Sequence, residues 1–317
     1  MNKKFLSATT ALASVMAFSS AQADADIFVG GTFNGLWASG DSYASQERLS
    51  ITESAYVTYA DTLDNGMGIE GSMAYEAGGG GDFDISFISD MGTVSFGNGL
   101  SGGPVDSMDS HPVKSSFASS RKLPQGLSAD YEDGDGISSS GSTVAAGFDS
   151  NNQIVYTSPK INGFTAKAGI GFGTTAGYDD IMAYSISGKI AGVSVKGGIV
   201  DEGDTASRTG DENYMIGIKS PKLAGYTIGY GYYDSDSGDS YTVVGVKTPK
   251  IPGLGATFQY EYFEVDNTGS TADDDGSIVS LQKKFGGGVK ASLEYHVASV
   301  GSNADVENFF IGYKIGF

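Results

Sequence analysis

From Phe309 to Phe317 the residues alternate strictly: Phe309, Ile311, Tyr313, Ile315 and Phe317 are bulky and apolar, while Phe310, Gly312, Lys314 and Gly316 fill the even positions. A period of two sends these sets to opposite faces of a β-strand. The pattern recurs upstream. Val289, Ala291, Leu293, Tyr295 and Val297 oppose Lys290, Ser292, Glu294 and His296, and Leu254, Ala256, Phe258, Tyr260 and Tyr262 oppose Gly255, Thr257, Gln259 and Glu261. Tyr226, Ile228, Tyr230 and Tyr232 oppose Thr227, Gly229 and Gly231, and Phe164, Ala166, Ala168, Ile170 and Phe172 oppose Thr165, Lys167, Gly169 and Gly171. Helical spacing would scatter each set around a whole circumference, so these segments are strands. One face suits hydrocarbon and the other suits water or close packing, as a membrane-spanning barrel strand requires.

After the first two dozen residues no apolar run approaches the roughly eighteen that a spanning helix needs. Passage through a membrane must then be made by a closed barrel, the other fold that satisfies all backbone polar groups in lipid. Composition agrees, with 48 glycines, 18 tyrosines and 17 phenylalanines against 7 prolines, as suits a large sheet with tight turns. The absence of cysteine removes disulfides and thiolate metal sites from consideration. A formal charge of −19 makes nucleic acid an unsuitable partner. The aromatic and β-branched content is too high for a disordered acidic chain.

Strands are expected near residues 26–38, 47–62, 67–77, 82–90, 92–99, 152–159, 163–173, 180–190, 192–202, 212–220, 225–235, 239–248, 254–265, 276–285, 288–299 and 306–317. This makes about sixteen, most of them near the length that a tilted strand needs to cross a bilayer core. After even-numbered strands the chain turns briefly, as at Pro159 to Gly163, Gly188 to Gly192, Pro221 to Gly225 and Pro249 to Gly253. After odd-numbered strands come longer polar loops rich in acid, among them Asp201, Glu202, Asp204, Asp234, Asp236 and Asp239. The turns instead carry Lys160, Lys189, Lys222 and Lys250, which read as solvated turn residues. The fold class is therefore all-β, an antiparallel transmembrane barrel with short periplasmic turns and long acidic extracellular loops. Three turns share a motif, YTSPKINGF, IKSPKLAGY and VKTPKIPGL, in which proline ends a ladder and glycine permits positive φ.

The start of the chain reads as a secretory signal over residues 1–23, leaving 24–317 as the barrel. Lys3 and Lys4 precede an apolar stretch from Phe5 to Phe18, followed by small residues. Ala21-Gln22-Ala23 and Ala23-Asp24-Ala25 both have the form of a cleavage site, and the first leaves the opening strand intact. The apolar core is too short for a spanning anchor.

The stretch Asn152-Gln-Ile-Val-Tyr156-Thr-Ser158-Pro159-Lys-Ile-Asn-Gly163-Phe164 resembles the strand-turn-strand signature of the general porins of Gram-negative bacteria. The leader, the terminal Phe317 and the strand number extend the resemblance over essentially the whole chain. It implies a homotrimer of sixteen-stranded barrels in outer-membrane lipid and lipopolysaccharide, passing ions and small hydrophilic solutes without catalysis. It also implies that the loop after the fifth strand, 100–151, narrows the pore. That loop carries Asp106, Asp109, Lys114, Arg121, Lys122, Asp130, Glu132 and Asp133. Its path is either into the barrel or in part extracellular.

A diffusion pore needs only a wet lumen whose charges bias passage. The strand registers aim Lys167, Lys196, Lys219, Lys290 and Lys314 inward, and with Arg48 they form a candidate basic wall opposing the loop carboxylates. The alternative is that each is a solvated residue near one rim. The basic wall favours anions, whereas the acidic mouth concentrates cations, and the balance leans to cations. No cofactor is required. Ca²⁺ at Asp234, Asp236 and Asp239 is the metal to consider, since DSDSGDS begins like an EF-hand loop but lacks the rest of it. Two rivals remain: an outer-membrane hydrolase using His296 beside Ser292 and Glu294, and a non-conducting surface or structural barrel.

Overall fold

The computed structural model describes residues 26–40, 48–76, 81–98, 152–172, 180–201, 212–235, 240–266, 274–299 and 306–317. Every regular element among them is a strand: β1 (Asp26–Gly40), β2 (Arg48–Thr62), β3 (Gly68–Glu76), β4 (Gly81–Ser89), β5 (Gly92–Asn98), β6 (Asn152–Thr157), β7 (Phe164–Phe172), β8 (Ile181–Ile190), β9 (Val193–Asp201), β10 (Glu212–Lys219), β11 (Thr227–Ser235), β12 (Ser240–Lys247), β13 (Ala256–Asp266), β14 (Asp274–Gly286), β15 (Val289–Ser299) and β16 (Val306–Gly316). All sixteen expected strands are present, each bounded within two residues of its expected ends. Each pairs antiparallel with its neighbours in sequence, and β1 pairs with β16 to close the barrel. Closure leaves no edge strand with unpaired backbone groups. At the seam, the Gly31 N–H donates to the Phe317 O at 2.9 Å and the Phe317 N–H donates to the Gly31 O at 3.0 Å.

The pairing registers assign the faces. Ile311 and Tyr313 on the outer face are 45% and 40% exposed, while Phe310 between their rows is fully buried. Aromatic contacts continue across the seam on the outer face, with Phe33 against Phe317 at 5.6 Å and Trp37 edge-on to Phe309 at 6.0 Å. Glycine at position 35 is required by packing, because a Cβ there would collide with the Tyr313 ring. An aromatic ring laid over a cross-strand glycine is a known way to pin register.

The three proline turns are built alike. The Ser220 hydroxyl donates to the Pro221 O at 2.8 Å and accepts from the Ile228 N–H at 2.9 Å. Ser158 does the same with Pro159 and Ala166, and Thr248 with Pro249 and Phe258. Each hydroxyl thus takes up a carbonyl and an amide at the point where the ladder ends. Asn162-Gly163 and Ala224-Gly225 supply the two positive-φ residues of a tight hairpin. β13 starts at Ala256 rather than 254 because the Thr248–Gly255 turn is longer, closed by Ile251 N–H to Ala256 O at 2.8 Å and by Gly255 at φ 67. Ser220→Ala is expected to cost about 1 kcal/mol, measured by equilibrium urea unfolding from lipid vesicles, with the barrel otherwise intact.

Candidate pore lining

Five lysines expected to point inward do lie on the inner face. Lys167 pairs with Thr157 and Ser185, Lys196 with Ser187 and Gly217, and Lys219 with Ser194 and Gly229. Lys290 is opposed by Lys284 on one side and Lys314 on the other. All five sit toward the short-turn ends of their strands. Arg48 does not join them, because it is the first residue of β2, opposite Ala38, at the long-loop end. The set named from sequence is therefore not one wall at one depth.

Two inner lysines escaped the sequence reading. Lys247 pairs with Thr227 and Gln259 on the inner face, and Lys284 pairs with Lys290. Consecutive Val243 and Val244 blurred the period of β12, and adjacent Lys283 and Lys284 left open which one turns inward. Among the described residues, Lys219, Lys284 and Lys290 all act electrostatically on Lys247, and Glu261 opposes them.

The inner wall falls into two regions. Along β6 to β16 many inward side chains are buried, including Val155, Val200, Met215, Phe263, Ile278 and Phe310 with the polar Gln153, Asn213, Gln259 and Glu261. Along β2 to β4 the described inward side chains are half-buried or exposed. Glu70 and Asp82 are exposed and Asp84 is half-buried. Hydroxyls accompany these acids. Ser72 donates to Asp84, Thr32 and Ser54 share a hydrogen bond of 2.7 Å, and so do Ser86 and Ser95. The signal for this strip is present in the sequence of β4, where Asp82, Asp84 and Ser86 alternate with Phe83, Ile85 and Phe87, but it was not among the candidates named from sequence.

Ser292, Glu294 and His296 do meet on the inner face of β15. The Ser292 hydroxyl donates to Glu294 Oε1 at 3.1 Å, and His296 Nε2 stands 3.5 Å from Glu294 Oε2. The His296 ring packs on Phe310 at 4.8 Å. The carboxylate lies between the other two, whereas a hydrolytic triad places the imidazole between nucleophile and acid. Exposures of 2%, 1% and 2% along the three leave no approach for a substrate. This arrangement fits a packed polar cluster. Glu294→Ala, which removes the acceptor that Ser292 uses, is expected to cost about 2 kcal/mol, measured as a lowered midpoint of the heat-induced shift in gel mobility.

The loop candidates Asp106, Asp109, Lys114, Arg121, Lys122, Asp130, Glu132 and Asp133 lie outside the described residues, as do Asp236 and Asp239. Asp234 sits on the outer face of β11, opposite Tyr214 and Ser240. Among the described residues no group of three or more His, Cys, Asp or Glu is placed to hold a metal ion.

A closed sixteen-stranded antiparallel barrel with an apolar aromatic exterior and a polar, charged inner wall defines an outer-membrane transmembrane barrel. The chain matches the Gram-negative porin family over residues 8–314, and it belongs to that family as an outer-membrane porin channel. Solved structures share the fold at low identity. A loop-deletion mutant of OmpT, an outer membrane protein of Vibrio cholerae, superposes with a TM-score of 0.67 at 16% identity, covering 93% of this chain and 100% of that one. A mutant porin of Rhodopseudomonas blastica gives 0.63 at 15% identity over 92% and 100% of the two chains. OmpT folded in vitro, in a trimer form, gives 0.65 at 17% identity over 92% and 99%. No curated protein sequence matches the chain.

Proposed function

We propose that this porin passes small hydrophilic solutes passively along the β2–β4 side of its lumen, favouring cations, as a homotrimer and without catalysis. The observation that carries the reading is the division of the inner wall. The solvent-reached strip bears Glu70, Asp82 and Asp84 among hydroxyls, while the β6–β16 side is largely buried at mid-height. Side chains alone do not fill a barrel of this strand number, so something must cover the buried side. The segment 100–151 is the longest connection between strands, and we assign it that role, with Asp106, Asp109 and their neighbours at the constriction. Removal of residues 1–23 during export completes the proposal. The trimer form of OmpT supports trimeric assembly by analogy of fold.

Single-channel recording in a planar bilayer under a salt gradient tests this. The expected record shows conductance steps in groups of three and a reversal potential on the cation side. Glu70→Gln with Asp84→Asn is expected to move that potential toward anions, and deleting 106–133 to raise conductance roughly twofold or more. A barrel that inserts and stays silent, or a reversal potential unmoved by the two neutralisations, contradicts the reading.

A further inference from the structure

Among the described strand residues, the large apolar side chains that stand exposed lie on the outer face, with one exception. Phe28 is 55% exposed, and its place opposite Thr58, which in turn pairs with Ser72, turns it into the lumen. Tyr56 shares that face. It pairs with Gly30 and Ala74, and its ring lies where a Cβ on Gly30 would stand. The Phe28 and Tyr56 ring centroids are 6.0 Å apart, tilted by 37°. A phenyl ring left in lumen water forgoes the hydrophobic gain that burial brings, so its position calls for a partner that reaches it.

The aromatic pair adjoins the acidic strip in a fixed register. Tyr56, Ala74 and Asp82 form one cross-strand row, and Phe28, Thr58, Ser72 and Asp84 form the next. With strands about 4.8 Å apart, Tyr56 and Asp82 stand about 10 Å from each other across the small Ala74. Asp82 is exposed, whereas Asp84 accepts from Ser72. Among the described residues the one Lys or Arg on β1 to β5 is Arg48, at the long-loop end. Lys314 on the neighbouring β16 is set apart, opposite Asn34 and so two inward positions beyond Gly30.

We infer that this stretch of wall binds organic cations of the alkylammonium class in preference to potassium and to neutral sugars. An ammonium is attracted to the face of an aromatic ring within about 6 Å of its centroid. The gap over Ala74 lets one such group meet the Tyr56 ring on one side and the Asp82 carboxylate on the other. Phe28 adds a second ring and apolar surface for the alkyl groups, which a hydrated potassium ion does not use. A sugar stacked on the rings would call for donors and acceptors in balance, whereas Asp82 brings charge and acceptors only. The effect on transport rests on the cation-favouring reading of the strip, but the binding itself does not.

Tetraethylammonium is the probe, in single channels of the full mature chain in potassium chloride. It is expected to reduce the potassium conductance dose-dependently, while glucose gives no saturable effect. F28L with Y56L, which keeps bulk and removes both rings, is expected to raise the half-blocking concentration about fivefold or more. F28L alone leaves the ring over Gly30 in place and is expected to raise it about twofold or more, so the test stands even where the double variant does not fold. D82N is expected to raise it as well, and Y56F, which keeps the ring, to leave it unchanged. Saturation-transfer NMR of tetraethylammonium with the detergent-solubilised protein reads the same site without current, and its signal is expected to fall in F28L and further in F28L/Y56L. A channel that is silent or favours anions in plain potassium chloride defeats the functional reading, and the NMR signal then decides the site. A half-blocking concentration or NMR signal that neither F28L nor F28L/Y56L changes, or glucose bound as strongly and lost in the same variants, overturns the organic-cation site.

Discussion

In hydrocarbon an unpaired backbone N–H or C=O costs several kcal/mol, and the rest of this structure follows from that constraint. A chain that lacks a spanning apolar helix can meet it only by pairing every strand on both sides, and the β1–β16 seam is the pairing that completes the set. The mutual hydrogen bonds of Gly31 and Phe317 carry the ladder to its end. Once the ladder is closed, alternation has a fixed meaning: one residue in two meets lipid and the next meets the lumen. The proline turns serve the same constraint, since a hydroxyl accepts a strand amide and donates to the proline carbonyl where the ladder ends.

The lumen inherits an asymmetry from the strand sequence. Acid and hydroxyls collect on β2 to β4, and lysines collect at the short-turn ends of β6 to β16. The buried side of the wall is polar as well as apolar, with Glu294 and His296 packed against Phe310. The proposed water path runs off-centre, along the acidic strip, with lysines at the short-turn ends of the opposite side.

Strand number, strand bounds and the facing of β7, β11, β13, β15 and β16 were legible in the sequence because each of those segments alternates cleanly over seven or more residues. Facing in β12 was hidden by two adjacent valines, and in β14 by two adjacent lysines. Depth along the pore was not legible at all, since period two reports which face a residue takes and nothing about its height. That is why Arg48 was grouped with lysines that sit at the opposite end. The Ser292-Glu294-His296 spacing was visible, but its order in space, with the carboxylate in the middle, required the side-chain geometry.

The division of the inner wall is tested most directly by cysteine accessibility, because the chain has no native cysteine to interfere. Single channels of Ser72→Cys and Ser280→Cys would be exposed in turn to a charged, membrane-impermeant thiol reagent. Ser72 lies on the solvent-reached strip and Ser280 on the buried side, so the account predicts a stepwise fall in conductance in the first and no response in the second. A prompt response at position 280 with none at position 72 would contradict it.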